Sequence, residues 1–204
     1  ETTPVCHGML GAETLCRSPL GVNRVDYMHD PNKVSAPKPR EREHGFYIGS
    51  TPIGSARDIT LRALDTLAAA DLIAAEDTRT ARRLMEIHSI ALRSRPLVPY
   101  HDHNGAEMRP QLLAALSEGR TVAYVSDAGT PMVADPGFTL VRAAIEAGHK
   151  VFSVPGASAA LAALTVAGLP TDRFHFAEFA PQATGKLRTF LGALAGIDAT
   201  LVVY

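Results

Sequence analysis

The side chains best suited to moving a proton stand together in "YHDHN", residues 100–104. His101 and His103 flank Asp102, and on an extended segment residues two apart point to the same side. An imidazole titrates near neutrality, which suits a general base, and it is also a common metal ligand. A surface loop without a role is the competing interpretation. Because no third ligand stands at a convincing spacing, we do not expect a metal site.

A second cluster, "EDTR" at residues 76–79, combines two carboxylates with a guanidinium. Glu76 and Asp77 are candidates to act as a base or to orient a histidine. Arg79 is suited to hold a phosphate through two parallel hydrogen bonds. The competing interpretation is an ordinary helix start, with an acid at the N-cap and a solvated arginine.

Arginines continue beyond this cluster. Residues 79–95 hold a single acid, Glu86, against five arginines, which are Arg79, Arg82, Arg83, Arg93 and Arg95. Such a basic patch favours nucleic-acid phosphate even though the formal net charge of the chain is −1. A solvated helix face is the alternative, because no aromatic residues are interleaved with the arginines.

Two loops rich in glycine and proline offer backbone groups to a ligand. They are "TPIGS", residues 51–55, and "SDAGTPMVADPG", residues 126–137, which is about twice the length of a plain strand-to-helix turn. Gly49 and Gly54 have the spacing of a phosphate-binding loop, but Ser55 and Ala56 stand where that motif needs Lys and Ser or Thr. This departure argues against a nucleoside-triphosphate-binding domain.

These clusters are positioned by an alternation of strands and helices that begins at Gly45. Apolar runs predict strands at 46–50, 71–77, 97–100, 121–127 and 150–156, and helical periods separate them, the first at 56–70. The pattern predicts an α/β fold with a five-stranded, mostly parallel sheet and helices on both faces over residues 45–168. Because ligands bind at the carboxyl ends of the strands in such sheets, the four clusters are expected to meet at one edge.

The remaining residues are interpreted separately. Residues 1–44 show no sustained period and predict a flexible extension. Residues 169–204 predict the truncated start of a second α/β domain, with "FHFAEF" and "TLVVY" as strands around a helix near residues 185–196. The apolar final run suggests that the sequence is a fragment.

Composition narrows the class of protein. The chain has 204 residues and 46% hydrophobic residues, and no apolar run approaches the roughly 18 residues that span a bilayer, so no membrane partner is expected. Cys6 and Cys16 do not make a disulfide framework, which favours a cytoplasmic location.

Several segments together resemble the ribosomal RNA small subunit methyltransferase I family of the tetrapyrrole-methylase superfamily. They are "TPIGSARDITLRAL", "DLIAAEDTR", "YHDHN", "YVSDAGTPMVADPG", "VPGASAALAAL" and "GLPTDRFHFAEFAP". The resemblance implies a two-domain α/β enzyme that uses S-adenosylmethionine to methylate the ribose 2′-oxygen of a cytidine in the decoding region of 16S rRNA, within the small ribosomal subunit. It also implies a cytoplasmic homodimer that needs no metal. Ser55 is a departure, because the family usually has Asn there.

The resemblance assigns roles by position. The residues expected to contact S-adenosylmethionine are Pro52, Ile53, Gly54, Asp127, Gly129, Thr130, Pro131, Val133, Ser158 and Ala159. Those expected on the RNA side are Glu76, Asp77, Arg79, His101, Asp102, His103 and Asn104. Arg82 and Arg83 are expected to add to RNA binding.

Methyl transfer to a ribose hydroxyl requires alignment of the reacting atoms and an acceptor for one proton. His101 or His103 is the expected base, with Asp77 or Glu76 orienting one of them or acting instead. Two other functions remain open. A corrin-precursor methyltransferase of the same superfamily would share the cofactor loops but has no need of an arginine-rich helix, and an inactive fragment would bind nothing.

Overall fold

Five apolar runs form one parallel sheet in the computed structural model, which describes residues 43–101, 103–132, 137–177 and 179–204. The strands are β1 (Phe46–Gly49), β2 (Leu72–Ala75), β3 (Leu97–Pro99), β4 (Val122–Val125) and β5 (Val151–Val154). Their order across the sheet is β3-β2-β4-β1-β5, and every pairing is parallel. The five-stranded sheet that the sequence predicts is confirmed.

Helices cover both faces of this sheet, as expected. Those in the described residues are α1 (Leu61–Ala69), α2 (Thr78–Ile87), α3 (Gly105–Ser117), α4 (Phe138–Glu146), α5 (Ala159–Ala167) and α6 (Thr184–Leu194). Successive side chains of a strand point to opposite faces. Tyr124 and Leu72 therefore pack with α3 and α4, whereas Val125 and Ile73 pack with α1 and α2.

The first helix is shorter than the sequence period predicts. Residues 56–70 were expected to form one helix, but Ala56–Asp58 form a separate 3₁₀ turn and α1 begins at Leu61. Thr60 is the cause, because its backbone is extended and its hydroxyl accepts the amide N–H of Ala63 as an N-cap. The separate turn lengthens the loop that follows β1.

Residues 169–204 contribute a two-stranded parallel sheet of β6 (Phe174–Phe176) and β7 (Thr200–Val202), with α6 between them in sequence. Val202 and Phe176 pack against Ala160 and Leu164 of α5. That this segment begins a second domain remains a prediction. The extension predicted at 1–44 lies outside the described residues, except for its last two. None of the helices in the described ranges has the length and apolar character needed to cross a bilayer.

Arg95 connects the segment before β3 to the end of α1 and is not part of a basic surface. Its guanidinium donates to the carbonyl oxygens of Leu67 and Ala70 at the end of α1, at 2.6 and 2.9 Å, and to those of Ala91 and Leu92, at 2.8 and 3.2 Å. Burial lowers the pKa of this guanidinium. The structure therefore removes Arg95 from the basic patch expected between residues 79 and 95.

Replacing Arg95 with Ala is expected to lower the free energy of unfolding by about 2 kcal/mol, because carbonyl groups at the end of α1 lose a charged donor. Urea denaturation measures the loss. Arg62→Ala, which removes an exposed arginine from α1 itself, is the matched control and should change stability by no more than about 0.5 kcal/mol. Equal effects of the two substitutions would contradict the structural role of Arg95.

Candidate active site

The loops that follow β1, β4 and β5 are joined to one another by hydrogen bonds. The N–H of Thr51 donates to the carbonyl of Gly129 at 2.9 Å, and the N–H of Gly129 donates back to Thr51 at 3.1 Å. The Ser50 hydroxyl bonds to Thr130 at 3.2 Å, and Thr130 donates to the carbonyl of Ala157 at 2.9 Å. The loops after three neighbouring strands, β4, β1 and β5, thus form one connected unit.

Close approach of these loops requires glycine at two positions. Gly129 has a φ of 83°, and a Cβ there would lie 3.3 Å from Cγ2 of Ile53. A Cβ at Gly156 would lie only 2.8 Å from Cβ of Ser50. At Gly156 the loops after β1 and β5 therefore leave no room for a methyl group, whereas Gly129 is required chiefly by its positive φ.

A cleft of about 580 Å³ opens between the loops after β1 and β4 and helix α2, a volume within the range of small-molecule sites. Its loop wall is lined by Thr51, Pro52, Gly54, Ala56, Ser126 and Asp127. Its helical wall is lined by Asp77, Arg79, Thr80, Ala81, Arg83, Leu84 and Ile87. Because Arg79, Arg83 and Ile87 are spaced by four residues, they share one face of α2, and that face borders the cleft.

Backbone hydrogen bonds to carboxylates fix the start of α2 against the loop after β4. The N–H of Asp77 donates to Oδ1 of Asp127 at 3.0 Å, and the N–H of Asp127 donates to Oε2 of Glu76 at 3.3 Å. The N–H of Glu76 donates to the carbonyl of Val125 at 3.2 Å. The ends of β2 and β4 are thereby held in one arrangement at the mouth of the cleft.

Asp77 is the N-cap of α2 and forms an ion pair with Arg79. Its Oδ1 accepts the N–H of Arg79 at 2.8 Å, and the guanidinium of Arg79 donates to both carboxylate oxygens, the shortest contact being 2.6 Å. The side-chain hydrogen bond from Arg79, followed by its backbone N–H, lowers the pKa of Asp77 to about 2. Such a carboxylate is a weak proton acceptor, which argues against the expectation that Asp77 is the general base.

The loop after β3 is held by Asn104. Its Oδ1 accepts the N–H of His101 and its Nδ2 donates to the carbonyl of Pro99, both at 2.9 Å. The rings of His101 and His103 meet edge to face with centroids 5.9 Å apart, and Nδ1 of His101 is buried without a hydrogen-bond partner among the described residues. Asn104 thus has a structural role, while its predicted contact with RNA remains a prediction.

The structure groups the predicted site residues differently from the sequence. Pro52, Gly54 and Asp127 share the cleft with Asp77, Arg79 and Arg83, although the sequence assigned the first three to the cofactor and the others to RNA or catalysis. The predicted site residues that are described but do not line the cleft are Ile53, Glu76, Arg82, His101, His103, Asn104, Gly129, Thr130, Pro131, Ser158 and Ala159. Asp102 and Val133 lie outside the described residues. The predicted roles of all these residues remain predictions.

The helical wall of the cleft also has a less polar part, which the sequence motifs did not predict. Thr80, Leu84 and Ile87 line the cleft, and Ile87 is 49% exposed. Their position was indicated by their spacing from Arg79 and Arg83, since residues three or four apart in a helix share a face. An exposed apolar side chain beside two arginines distinguishes this face of α2 from an ordinary solvated one.

Residues 45–204 match the family model described as Tetrapyrrole (Corrin/Porphyrin) Methylases. The chain belongs to this family. Among curated members it is similar to proteins named "Ribosomal RNA small subunit methyltransferase I", which confirms the resemblance found in the sequence. The protein from Mesorhizobium japonicum is 51% identical over 165 residues, which cover 81% of this chain and 55% of that protein. The protein from Escherichia coli O157:H7 is 48% identical over 159 residues, which cover 78% and 54%.

The fold of this chain is also found in solved structures of other proteins. A crystal structure of diphthine synthase superposes with a TM-score of 0.59 at 20% identity, covering 78% of this chain and 63% of that one. This likeness concerns the fold alone. The chain spans about half the length of the curated relatives named above.

Substituting Gly156 with Ala is expected to destabilise the protein by about 1–3 kcal/mol, because the new methyl group overlaps Ser50 and forces the loops apart. Gly54→Ala is the matched control at the same edge of the sheet, since no atom lies within 4 Å of its added Cβ. Urea unfolding compares the two variants. A Gly156→Ala variant as stable as Gly54→Ala would show that the loops are not packed as described.

Ionised Asp77 is expected to stabilise the fold in a defined pH range. Its pKa is about 2 in the folded protein against an ordinary value of 3.8, so the contribution is complete above about pH 4 and is lost as the pH falls toward 2. Asp77→Asn keeps an N-cap but does not titrate. The stability difference between wild type and this variant, measured by denaturation between pH 5 and 2, should shrink as the pH falls. A constant difference would contradict the ion pair with Arg79.

Proposed function

We propose that this protein is an S-adenosylmethionine-dependent methyltransferase that acts on the ribose 2′-oxygen of a cytidine in the decoding region of 16S rRNA. The names of its relatives support ribosomal RNA as substrate. One observation from the structure carries the proposal: a single cleft has backbone-rich loops on one wall and Arg79 and Arg83 on the other. The proposed substrate is the small ribosomal subunit, which implies a cytoplasmic enzyme, and a homodimer is part of the proposal.

The cleft residues fit S-adenosylmethionine in three respects. Space is open around Gly54, which leaves the loop backbone accessible to a ligand. Leu84 and Ile87 give an apolar surface for a nucleoside, and the carboxylate of Asp127 suits the positive charges of the methionine part. When bound, S-adenosylmethionine supplies a methyl carbon that is already activated for displacement by an oxygen.

The loops and side chains of this protein have three tasks in the proposed reaction. The loops after β1 and β4 hold the reactants in line, and their mutual hydrogen bonds make that arrangement rigid. Arg79 and Arg83 bind phosphate groups of the RNA, with Arg79 exchanging Asp77 for a phosphate. His101 or His103, on the loop after β3, accepts the hydroxyl proton.

The proposal is tested by methyl transfer from radiolabelled S-adenosylmethionine to small ribosomal subunits that lack the modification. We expect label on a ribose 2′-oxygen of a decoding-region cytidine, located by nuclease digestion and mass spectrometry. A parallel reaction contains a corrin precursor in place of the subunit. Label in the tetrapyrrole alone, or on a base rather than a ribose, would overturn the proposal.

Arg83→Ala is expected to weaken binding to a decoding-region RNA and to reduce the slope of log K against log salt by about 0.7–0.9, the value for one phosphate contact. The matched control is Arg142→Ala, which removes an exposed arginine of α4 whose ion pair with Glu146 at 3.6 Å resembles that of Arg83 with Glu86 at 3.9 Å. Filter binding at several salt concentrations measures both variants. If the two variants have the same slope of log K against log salt, Arg83 does not contact an RNA phosphate.

A further inference from the structure

One side chain joins the two walls of the cleft at the end of α2. His88 is the C-cap of α2, and its Nε2 lies 2.8 Å from the carbonyl oxygen of Ala56. Since a carbonyl oxygen only accepts hydrogen bonds, Nε2 carries the proton and donates it. Both the neutral tautomer with a proton on Nε2 and the imidazolium are able to make this bond. The contact connects positions 32 residues apart in sequence.

The segment that His88 holds has little other support. Its beginning is fixed where Thr51 pairs with Gly129, and space is open around Gly54, where an added Cβ would have no atom within 4 Å. The 3₁₀ turn after it is closed locally, by the N–H of Asp58 to the carbonyl of Ser55 and by the N–H of Arg57 to the Ser55 hydroxyl. Beyond the turn, the Thr60 hydroxyl donates to the carbonyl of Pro155 at 3.4 Å. His88 therefore provides the connection from this loop wall to the helix opposite.

The two ends of α2 are attached to different loops. Its first turn is fixed to the loop after β4 through the bond from Asp77 to Asp127. Its C-cap is fixed to the loop after β1 through the bond from His88 to Ala56. Because Ala56 itself lines the cleft, the second attachment joins the loop wall to the helical wall.

We propose that His88 is a positioning residue that sets the width of the ligand cleft by holding Ala56 against the end of α2. It acts through the Pro52–Ala56 segment and does not line the cleft itself. The inference rests on the proposed function in one respect, that the ligand is S-adenosylmethionine. The claim about loop geometry is independent of that identity.

The test compares His88→Ala, which removes the donor, with His88→Gln, whose amide N–H is able to restore it. His149→Ala is the matched control, because His149 is also half-buried and contacts the Ser117 hydroxyl at 3.4 Å, next to the start of β5 and away from the cleft. Two quantities are measured on the whole chain: hydrogen exchange at the amides of Arg57 and Asp58, and the Kd for S-adenosylmethionine by isothermal titration.

We expect His88→Ala to speed exchange at these two amides and to raise the Kd about tenfold, the equivalent of one hydrogen bond. Exchange in the sheet should be unchanged, His88→Gln should recover most of both losses, and His149→Ala should behave as wild type. A loss that affects the whole sheet equally, or that His88→Gln does not recover, would overturn the positioning role. So would an unchanged loop and Kd in His88→Ala.

The two proposals fail in distinguishable ways. If the wild type does not bind S-adenosylmethionine, the proposed cofactor is wrong, and the exchange of Arg57 and Asp58 still decides the role of His88. If His88→Ala does not fold, the imidazole ¹⁵N shifts of the wild type decide it: a protonated, hydrogen-bonded Nε2 supports the inference, and an unprotonated Nε2 overturns it.

Discussion

The pair of backbone hydrogen bonds between Thr51 and Gly129 is the contact on which the candidate site depends. It joins the ends of β1 and β4, which are neighbours in the sheet but separated in sequence by β2 and β3. The chain leaves β1 toward α1 on one face and leaves β4 toward α4 on the other. An open parallel sheet forms its ligand crevice where successive connections diverge in this way. The bond pair fixes the loops at that point, and the cleft lies against them.

The charged side chains around the cleft, rather than the net charge of the chain, determine which ligands the cleft suits. Arg79 is balanced by Asp77, and the carboxylate of Asp127 lies beside them. Arg83 is only loosely matched, with Glu86 at 3.9 Å, and most of its side chain is exposed. A site with carboxylates near its mouth and arginines along one helical face suits a ligand with charges of both signs. Such local charge would let a chain with a formal net charge of −1 bind a polyanion, as the proposed RNA substrate requires.

The apolar runs and their alternation were sufficient to predict the strands, the parallel sheet and the convergence of loops at one edge. The strand order was not predictable, because the five runs are similarly apolar and nothing local says that β4 lies between β1 and β2. The helical spacing of apolar residues over 56–70 gave no sign that Thr60 is an N-cap and that α1 begins only after it. The arginine count between 79 and 95 included Arg95, whose bonds to four carbonyls depend on tertiary contacts. His88 gave no signal because its partner is a backbone atom in a distant loop.

The proposed function places S-adenosylmethionine in the cleft between the loops after β1 and β4 and helix α2. Ultraviolet cross-linking of labelled S-adenosylmethionine to this chain, followed by peptide mass spectrometry, tests it most directly. The account predicts label in peptides that contain residues 51–56, 77–87 or 126–131, and competition by unlabelled S-adenosylmethionine. Competed label confined to α6 or to the sheet of β6 and β7 would contradict it.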